Sequence, residues 1–306
     1  MNTKVLIGLV LAVVVVAGFM SMKHKTPVSG IESVGKIQVA TSFYPLYFFA
    51  SEIGGDKAIV TNITPAAAEP HDYEPTAQDM VQIENSKILV LNGGVEPWGD
   101  SIRKNIDPNK TFIVTAGQGL ETQQVVEDGQ SITDPHVWQS PVLAKQMVDK
   151  IEQAYEKADP TNAVYYQANA SALKTKLDDL DAEYRAGLAQ CTKKDIITSH
   201  AAFGYLASTY HLNQVSIGGL SPDAEPSTQQ LARIADFAKK NDVKVIFFES
   251  LVSPKLSQTI AQEVGAQAMV LDPIEGLTPD ALAAGQNYLT VIHSNLANLK
   301  IALQCQ

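Results

Sequence analysis

The stretch DPTNAVYYQANASALKTKLDDLDAEYRAGL, residues 159–188, decides how the chain is organised. Asp159-Pro160 supplies a helix N-cap and a first-turn proline, and neither glycine nor proline recurs before Gly187. Leu173, Leu177, Leu180, Tyr184 and Leu188 follow one another at intervals of three and four, so one face is apolar. The pattern predicts a single connecting helix over residues 159–190. At 1.5 Å per residue it extends roughly 40 Å, enough to join two lobes as a strut. The plainer reading is a surface helix on one larger domain.

On both sides of this stretch, short β-branched runs alternate with helical patterns. The runs are Ile37–Ala40, Ala58–Ile63, Ile88–Leu91 and Thr111–Val114, then Asp195–Thr198, Gln214–Ile217, Val243–Phe248 and Ala268–Leu271. Such alternation indicates α/β architecture with parallel sheets. Four strands fall in each half without a direct sequence repeat. The expected organisation is an N-terminal α/β lobe over 37–158, the connecting helix, and a C-terminal α/β lobe over 191–306.

Ahead of the first lobe, residues 5–20 form an uninterrupted apolar run behind Lys4. The run is shorter than a spanning helix of about 20 residues, and Val15-Val16-Ala17 is a mediocre cleavage site, so residues 1–22 read as a signal peptide or an N-terminal membrane anchor. Residues 23–36 read as a polar linker. With 306 residues, 45% apolar and 18% charged, the chain is neither disordered, collagen-like nor a disulfide miniprotein. Its net charge is −10, and from residue 26 onward 20 bases face 33 acids. That field disfavours nucleic acid and suits a cation. Cys191 and Cys305, the two cysteines of a chain that reads as exported, favour one disulfide over two buried thiols. The bond would close a loop worth roughly 4–5 kcal/mol in the chain-entropy model.

Three of the six histidines stand in loops where ligands bind α/β sheets. His71 lies in Glu69-Pro70-His71-Asp72-Tyr73-Glu74-Pro75, His136 in Asp134-Pro135-His136-Val137-Trp138, and His200 directly after the run ending at Ser199. A fourth loop, Asp272-Pro273-Ile274-Glu275, follows the last strand. Three imidazoles and one carboxylate suit tetrahedral zinc, whereas manganese and magnesium attract more oxygen. Histidines so widely spaced also occur as ordinary hydrogen-bonded loop residues. Asp134 and Glu249 read either as acceptors of an imidazole N–H or as a loop cap and a surface acid. His24 belongs to the linker. His211, His293, Trp98 and Trp138 read as packing or surface residues.

The His71, His136 and His200 segments, with Thr41-Ser42-Phe43-Tyr44-Pro45-Leu46-Tyr47 and Thr198-Ser199-His200-Ala201-Ala202-Phe203-Gly204, resemble the zinc-binding branch of the metal-receptor (solute-binding) proteins of bacterial ABC importers. Gly219-Leu220-Ser221-Pro222-Asp223-Ala224-Glu225-Pro226-Ser227 and Phe248-Glu249-Ser250 extend the likeness, which runs in order through about residues 36–303. The resemblance implies two Rossmann-like α/β lobes with parallel sheets joined by one long rigid helix, with the metal in the inter-lobe cleft. It implies His71 and His136 from the first lobe, His200 from the second, and a carboxylate from the last loop. Some relatives use the Asp of the Asp-Pro position and others a Glu three residues on; Asp272 is placed first and Glu275 second.

The manganese branch generally carries Glu at the position of His200 and lacks the 221–227 stretch, so zinc is favoured. Residues 121–135 contain no histidine, which argues against an auxiliary metal-collecting loop. The implied function is that of a monomeric, non-enzymatic receptor, periplasmic or tethered to the outer face of the cytoplasmic membrane. It would capture Zn(II) and deliver it to a permease. The competing readings are the same type of receptor for manganese or iron, and a zinc-dependent hydrolase. The hydrolase reading lacks an HExxH motif and an open metal position for water.

Overall fold

The computed structural model describes residues 35–127, 129–222 and 226–306. The predicted export segment, the linker up to residue 34, His24, Asp128 and residues 223–225 lie outside the described residues. Among those described, no helix is long and apolar enough to cross a membrane.

Strand β1 (Ile37–Thr41) lies between β2 (Ala58–Asn62) and β3 (Ile88–Leu91), and β3 pairs onward with β4 (Phe112–Thr115), all parallel. An antiparallel hairpin follows, β5 (Gln124–Glu127) with β6 (Gln130–Thr133). In the second sheet β7 (Asp195–Thr198) lies between β8 (Asn213–Ser216) and β9 (Val245–Phe248), with β10 (Gln267–Val270) beyond β9, again parallel. All eight expected strands are present within two residues of their expected ends; the hairpin was not anticipated. Both sheets therefore carry one strand order, second-first-third-fourth. The order reverses beside the first strand of each, the place where α/β sheets open a crevice at the carboxyl ends of their strands.

Helices α1 (Tyr44–Gly54), α2 (Ala77–Asn85), α3 (Gly99–Asn105) and α4 (Pro141–Ala158) belong to the first half, and α5 (Ala163–Leu188) is the long connector. Helices α6 (Gly204–Tyr210), α7 (Thr228–Lys240), α8 (Lys255–Val264), α9 (Pro279–Ala283) and α10 (Tyr288–Ala302) complete the second half. Alternate side chains of a strand face opposite sides of its sheet. Leu89 and Leu91 pack outward with Ile83, Trp98 and Ile102, and Ile197 and Ile246 pack outward with Ile234 and Ile260. The inward set, Val39, Ile88 and Val90 from one sheet with Ile196, Val245 and Phe247 from the other, joins one continuous apolar cluster. This cluster runs along α5 through Leu173, Leu177, Leu180, Tyr184 and Leu188, the face read from the sequence.

The connector starts later than its sequence suggests. Pro160–Asn162 form a 3-10 turn, and the α-helix begins at Ala163. Asp159 does not cap it; its Oδ2 accepts from Tyr166 Oη and Asn162 Nδ2, each at 2.7 Å. Past the other end of α5, Cys191 and Cys305 form the expected disulfide, across 114 residues.

Candidate metal centre

Four loops at the carboxyl ends of the strands deliver the candidate side chains. His71 sits between β2 and α2, in a loop closed by a capping box between Thr76 and Asp79. Tyr73 Oη also donates to Asp79 at 2.7 Å. His136 follows the hairpin and opens a 3-10 turn (Val137–Gln139) that leads into α4 at Pro141. His200 lies just past β7, its carbonyl accepting from Thr198 Oγ1 at 2.7 Å and Gln214 Nε2 at 3.0 Å. Glu275 lies in the loop after β10.

The geometry brings His71, His136, His200 and Glu275 together, one donor atom from each lying within 4.8 Å of the others. Glu275 Oε1 is 3.3 Å from His71 Nε2, 3.1 Å from His136 Nε2 and 3.5 Å from His200 Nε2. The Nε2 atoms of His71 and His136 are 3.3 Å apart. Zinc bonds of 2.0–2.1 Å in a tetrahedron place neighbouring ligand atoms about 3.3 Å apart, so four of the six separations match its edges. His200 Nε2 and Glu275 Oε2 are buried without a hydrogen-bond partner, an arrangement that costs stability unless another group satisfies them. His136, His200 and Glu275 are essentially inaccessible; His71, 10% exposed, is the side chain that reaches solvent.

Carboxylates fix two of the imidazoles. Asp134 Oδ1 accepts from His136 Nδ1 at 2.8 Å and from its backbone N–H at 2.9 Å. Glu249 Oε1 accepts from His200 Nδ1 at 2.6 Å and from Ser199 Oγ. A proton held on Nδ1 leaves the Nε2 lone pair facing the cluster. Burial opposes the imidazolium of His200, but Glu249 and Glu275 outweigh it and hold its pKa well above the ordinary value. His136 is raised in the same way, against burial, by Asp134 and Glu275. Burial disfavours the Glu275 carboxylate, yet His200, His136 and His71 hold its pKa well below the usual range. Glu69, which accepts from the His71 backbone N–H, is pushed up to about 9 by burial and by Glu275.

In the last loop it is Glu275, and not Asp272, that stands beside the three imidazoles. Asp272 lies outside the cluster, with Oδ1 accepting from the Ile274 backbone N–H at 2.7 Å and Oδ2 from Ser250 Oγ. Between Asp272 and Glu275 the backbone of Ile274 is left-handed, φ 62°. This is a costly conformation for a β-branched residue, on the order of 1–3 kcal/mol. It turns Glu275 toward the histidines.

Trp138 and Gln139 reach the same loop from the other lobe. Trp138 Nε1 donates to Pro273 O at 2.8 Å, Gln139 Nε2 donates to the same oxygen, and Tyr288 Oη donates to Trp138 O at 2.6 Å. Trp138 is buried as expected, yet it also ties the His136 turn to the Glu275 loop. Nothing local in the sequence announces a partner more than a hundred residues away. Two glycines meet carboxylates of the first half: a Cβ on Gly204 would stand 2.7 Å from Asp134 Oδ2, and one on Gly219 would meet the Glu127 carboxylate, which accepts from Leu220 N at 2.8 Å. His211 is an exposed left-handed C-cap of α6, and His293 is exposed and paired with Glu183 at 2.9 Å.

Residues 39–302 match the family model for the zinc-uptake complex component A, periplasmic (ZnuA). The high-affinity zinc uptake system protein ZnuA of Bacillus subtilis (strain 168) is 40% identical over 280 residues, covering 88% of both chains. The zinc-binding protein AdcA of Streptococcus pyogenes is 38% identical over 288 residues, covering 87% of this chain but 56% of AdcA, so this chain spans little more than half of that relative. Among solved structures, the Zn(II)-bound ZnuA-like domain of Streptococcus pneumoniae AdcA aligns with a TM-score of 0.76 at 38% identity, covering 88% of this chain and 99% of that domain.

Proposed function

The chain belongs to the family of periplasmic zinc-uptake complex A components, and from that premise we propose that it captures Zn(II) outside the cytoplasm and delivers it to an ABC importer permease. The observation that carries this reading is the convergence of three imidazole nitrogens and one carboxylate oxygen at separations suited to tetrahedral zinc. In this reading His71, His136, His200 and Glu275 are the four ligands. Residues 37–158 and 191–306 are the lobes that supply two each, and residues 159–190 connect them.

The chain's own groups perform the capture. Zinc arrives past His71, the exposed member. Asp134 and Glu249 keep the Nδ1 protons of His136 and His200 in place, so each ring presents a lone pair. With Glu275 they put three carboxylates around a dication, which offsets the cost of burying its charge. Four protein ligands leave no position for a reactive water, in keeping with a carrier rather than a hydrolase. Three nitrogen donors and one oxygen favour zinc over manganese. Release follows when the permease draws the lobes apart and separates His71 and His136 from His200 and Glu275. Residues 1–22 then serve as the export signal or the tether to the outer face of the cytoplasmic membrane, and the receptor acts as a monomer.

The test is a titration of metal-stripped protein with zinc against manganese, with bound metal read by elemental analysis. One zinc per chain is expected, resistant to manganese, lost in His200→Ala and kept in His293→Ala. Equal losses in both variants, or no stoichiometric zinc, would overturn the proposal.

A further inference from the structure

The loop that presents Glu275 is braced from several directions. Asp272 folds back on the chain as an Asx-type turn, Oδ1 accepting from Ile274 N at 2.7 Å, while Ser250 Oγ holds Oδ2. Asn295, almost fully buried, brackets the Asp272 peptide: its Oδ1 accepts from Asp272 N at 2.9 Å and its Nδ2 donates to Asp272 O at 2.7 Å. Pro273 O takes the Trp138 and Gln139 donors. The next residue, Ile274, has a left-handed backbone that an isoleucine rarely adopts, while its side chain is wholly buried in the continuous core. A loop with that backbone returns to extended or right-handed conformations unless something holds it. The residue after it is Glu275.

We propose that Asp272 is a positioning residue for the metal site: by holding the Ile274 N–H and Ser250 it maintains the turn that sets Glu275 Oε1 against three imidazoles. The inference rests on the reading of Glu275 as a zinc ligand. It assigns Asp272 a different role from the ligand role expected from sequence, because both of its oxygens are already engaged and neither joins the cluster. Isoleucine at 274 follows from the same design. The side chain anchors the loop in the core, and Asp272 supplies the hold that a glycine would make unnecessary.

The experiment compares the full-length chain with its Asp272→Ala, Asp272→Asn, Ser250→Ala and Glu275→Gln variants. Zinc affinity is read by competition with a chromophoric chelator, and the ligand set by the visible spectrum of the cobalt(II)-saturated proteins. Asp272→Ala should weaken zinc by about 10–100-fold, the usual cost of losing a group that orients a ligand. Asp272→Asn, whose amide oxygen still accepts from Ile274 N, should recover most of that loss. Ser250→Ala should show a smaller loss and keeps the test open if Asp272→Ala does not fold. Cobalt bands should match the wild type in all three and shift in Glu275→Gln. An altered spectrum in Asp272→Asn with affinity as poor as Asp272→Ala would make Asp272 a ligand and overturn the proposal. Wild-type zinc binding in Asp272→Ala alongside a loss in Glu275→Gln would overturn it alone. Wild-type binding in Glu275→Gln would remove the metal site on which it rests.

Discussion

The two halves of the molecule use one strand order but offer their candidate ligands from different strands. The first gives His71 after its second strand and His136 after its fourth, beyond the hairpin; the second gives His200 after its first strand and Glu275 after its fourth. Their supports differ too. Asp134 holds His136 from two residues away, within one turn, whereas Glu249 holds His200 from the neighbouring strand end, 49 residues on. The crest of a parallel sheet thus fixes where side chains gather, while the identity and bracing of each are settled loop by loop.

The largest test of this comparison removes one imidazole from each half. His200→Ala should weaken zinc by more than about a hundredfold, beyond the usual cost of losing a supporting group. His71→Ala, affecting the partly exposed imidazole, should cost less; a competition titration that reverses this order would break the distinction. Next come the supports. Asp134→Asn and Glu249→Gln should each cost about 10–100-fold in zinc affinity. Only Glu249→Gln should also loosen the second sheet's crest, read as faster amide exchange at Ser199 and His200.

Protons act on both halves together. His200 and His136 hold protons above the ordinary imidazole range, and zinc must displace them. Affinity should therefore fall as the pH drops, and the fall should begin above about 6.5, the value for an unperturbed histidine. Titrations from pH 8 to 6 that stay flat down to 6.5 would contradict the raised values. The smallest effect on zinc belongs to the disulfide, a staple of the second half alone. Reducing Cys191–Cys305 should lower stability by up to about 4–5 kcal/mol and leave zinc affinity unchanged, as a paired denaturation and metal titration would show.

Eight strands and the apolar face of α5 were legible because buried parallel strands and amphipathic helices write their environment into composition. The hairpin was not, although Gln124-Val125-Val126-Glu127 followed in sequence by Asp-Gly is a short-range hairpin signal. That His71, His136 and His200 stand in loops was legible from the strand and turn patterns around them. Which carboxylate of the last loop lies beside them was not, because that depends on a left-handed Ile274, and isoleucine is a residue type that gives no hint of such a turn. Asp159 misled for a related reason: the 3-10 turn after it diverted its carboxylate to Tyr166 and Asn162.

The apolar cluster that passes unbroken from one sheet along α5 to the other has a thermodynamic consequence. Two lobes with separate cores would denature in two steps, and a ligand between them would protect each only in part. A shared core couples them, so metal-free protein should unfold in one cooperative transition. Every increment of ligand binding energy then raises the melting temperature of the entire chain. Occupancy at the junction is thereby converted into resistance of the whole molecule to thermal denaturation and to proteolysis.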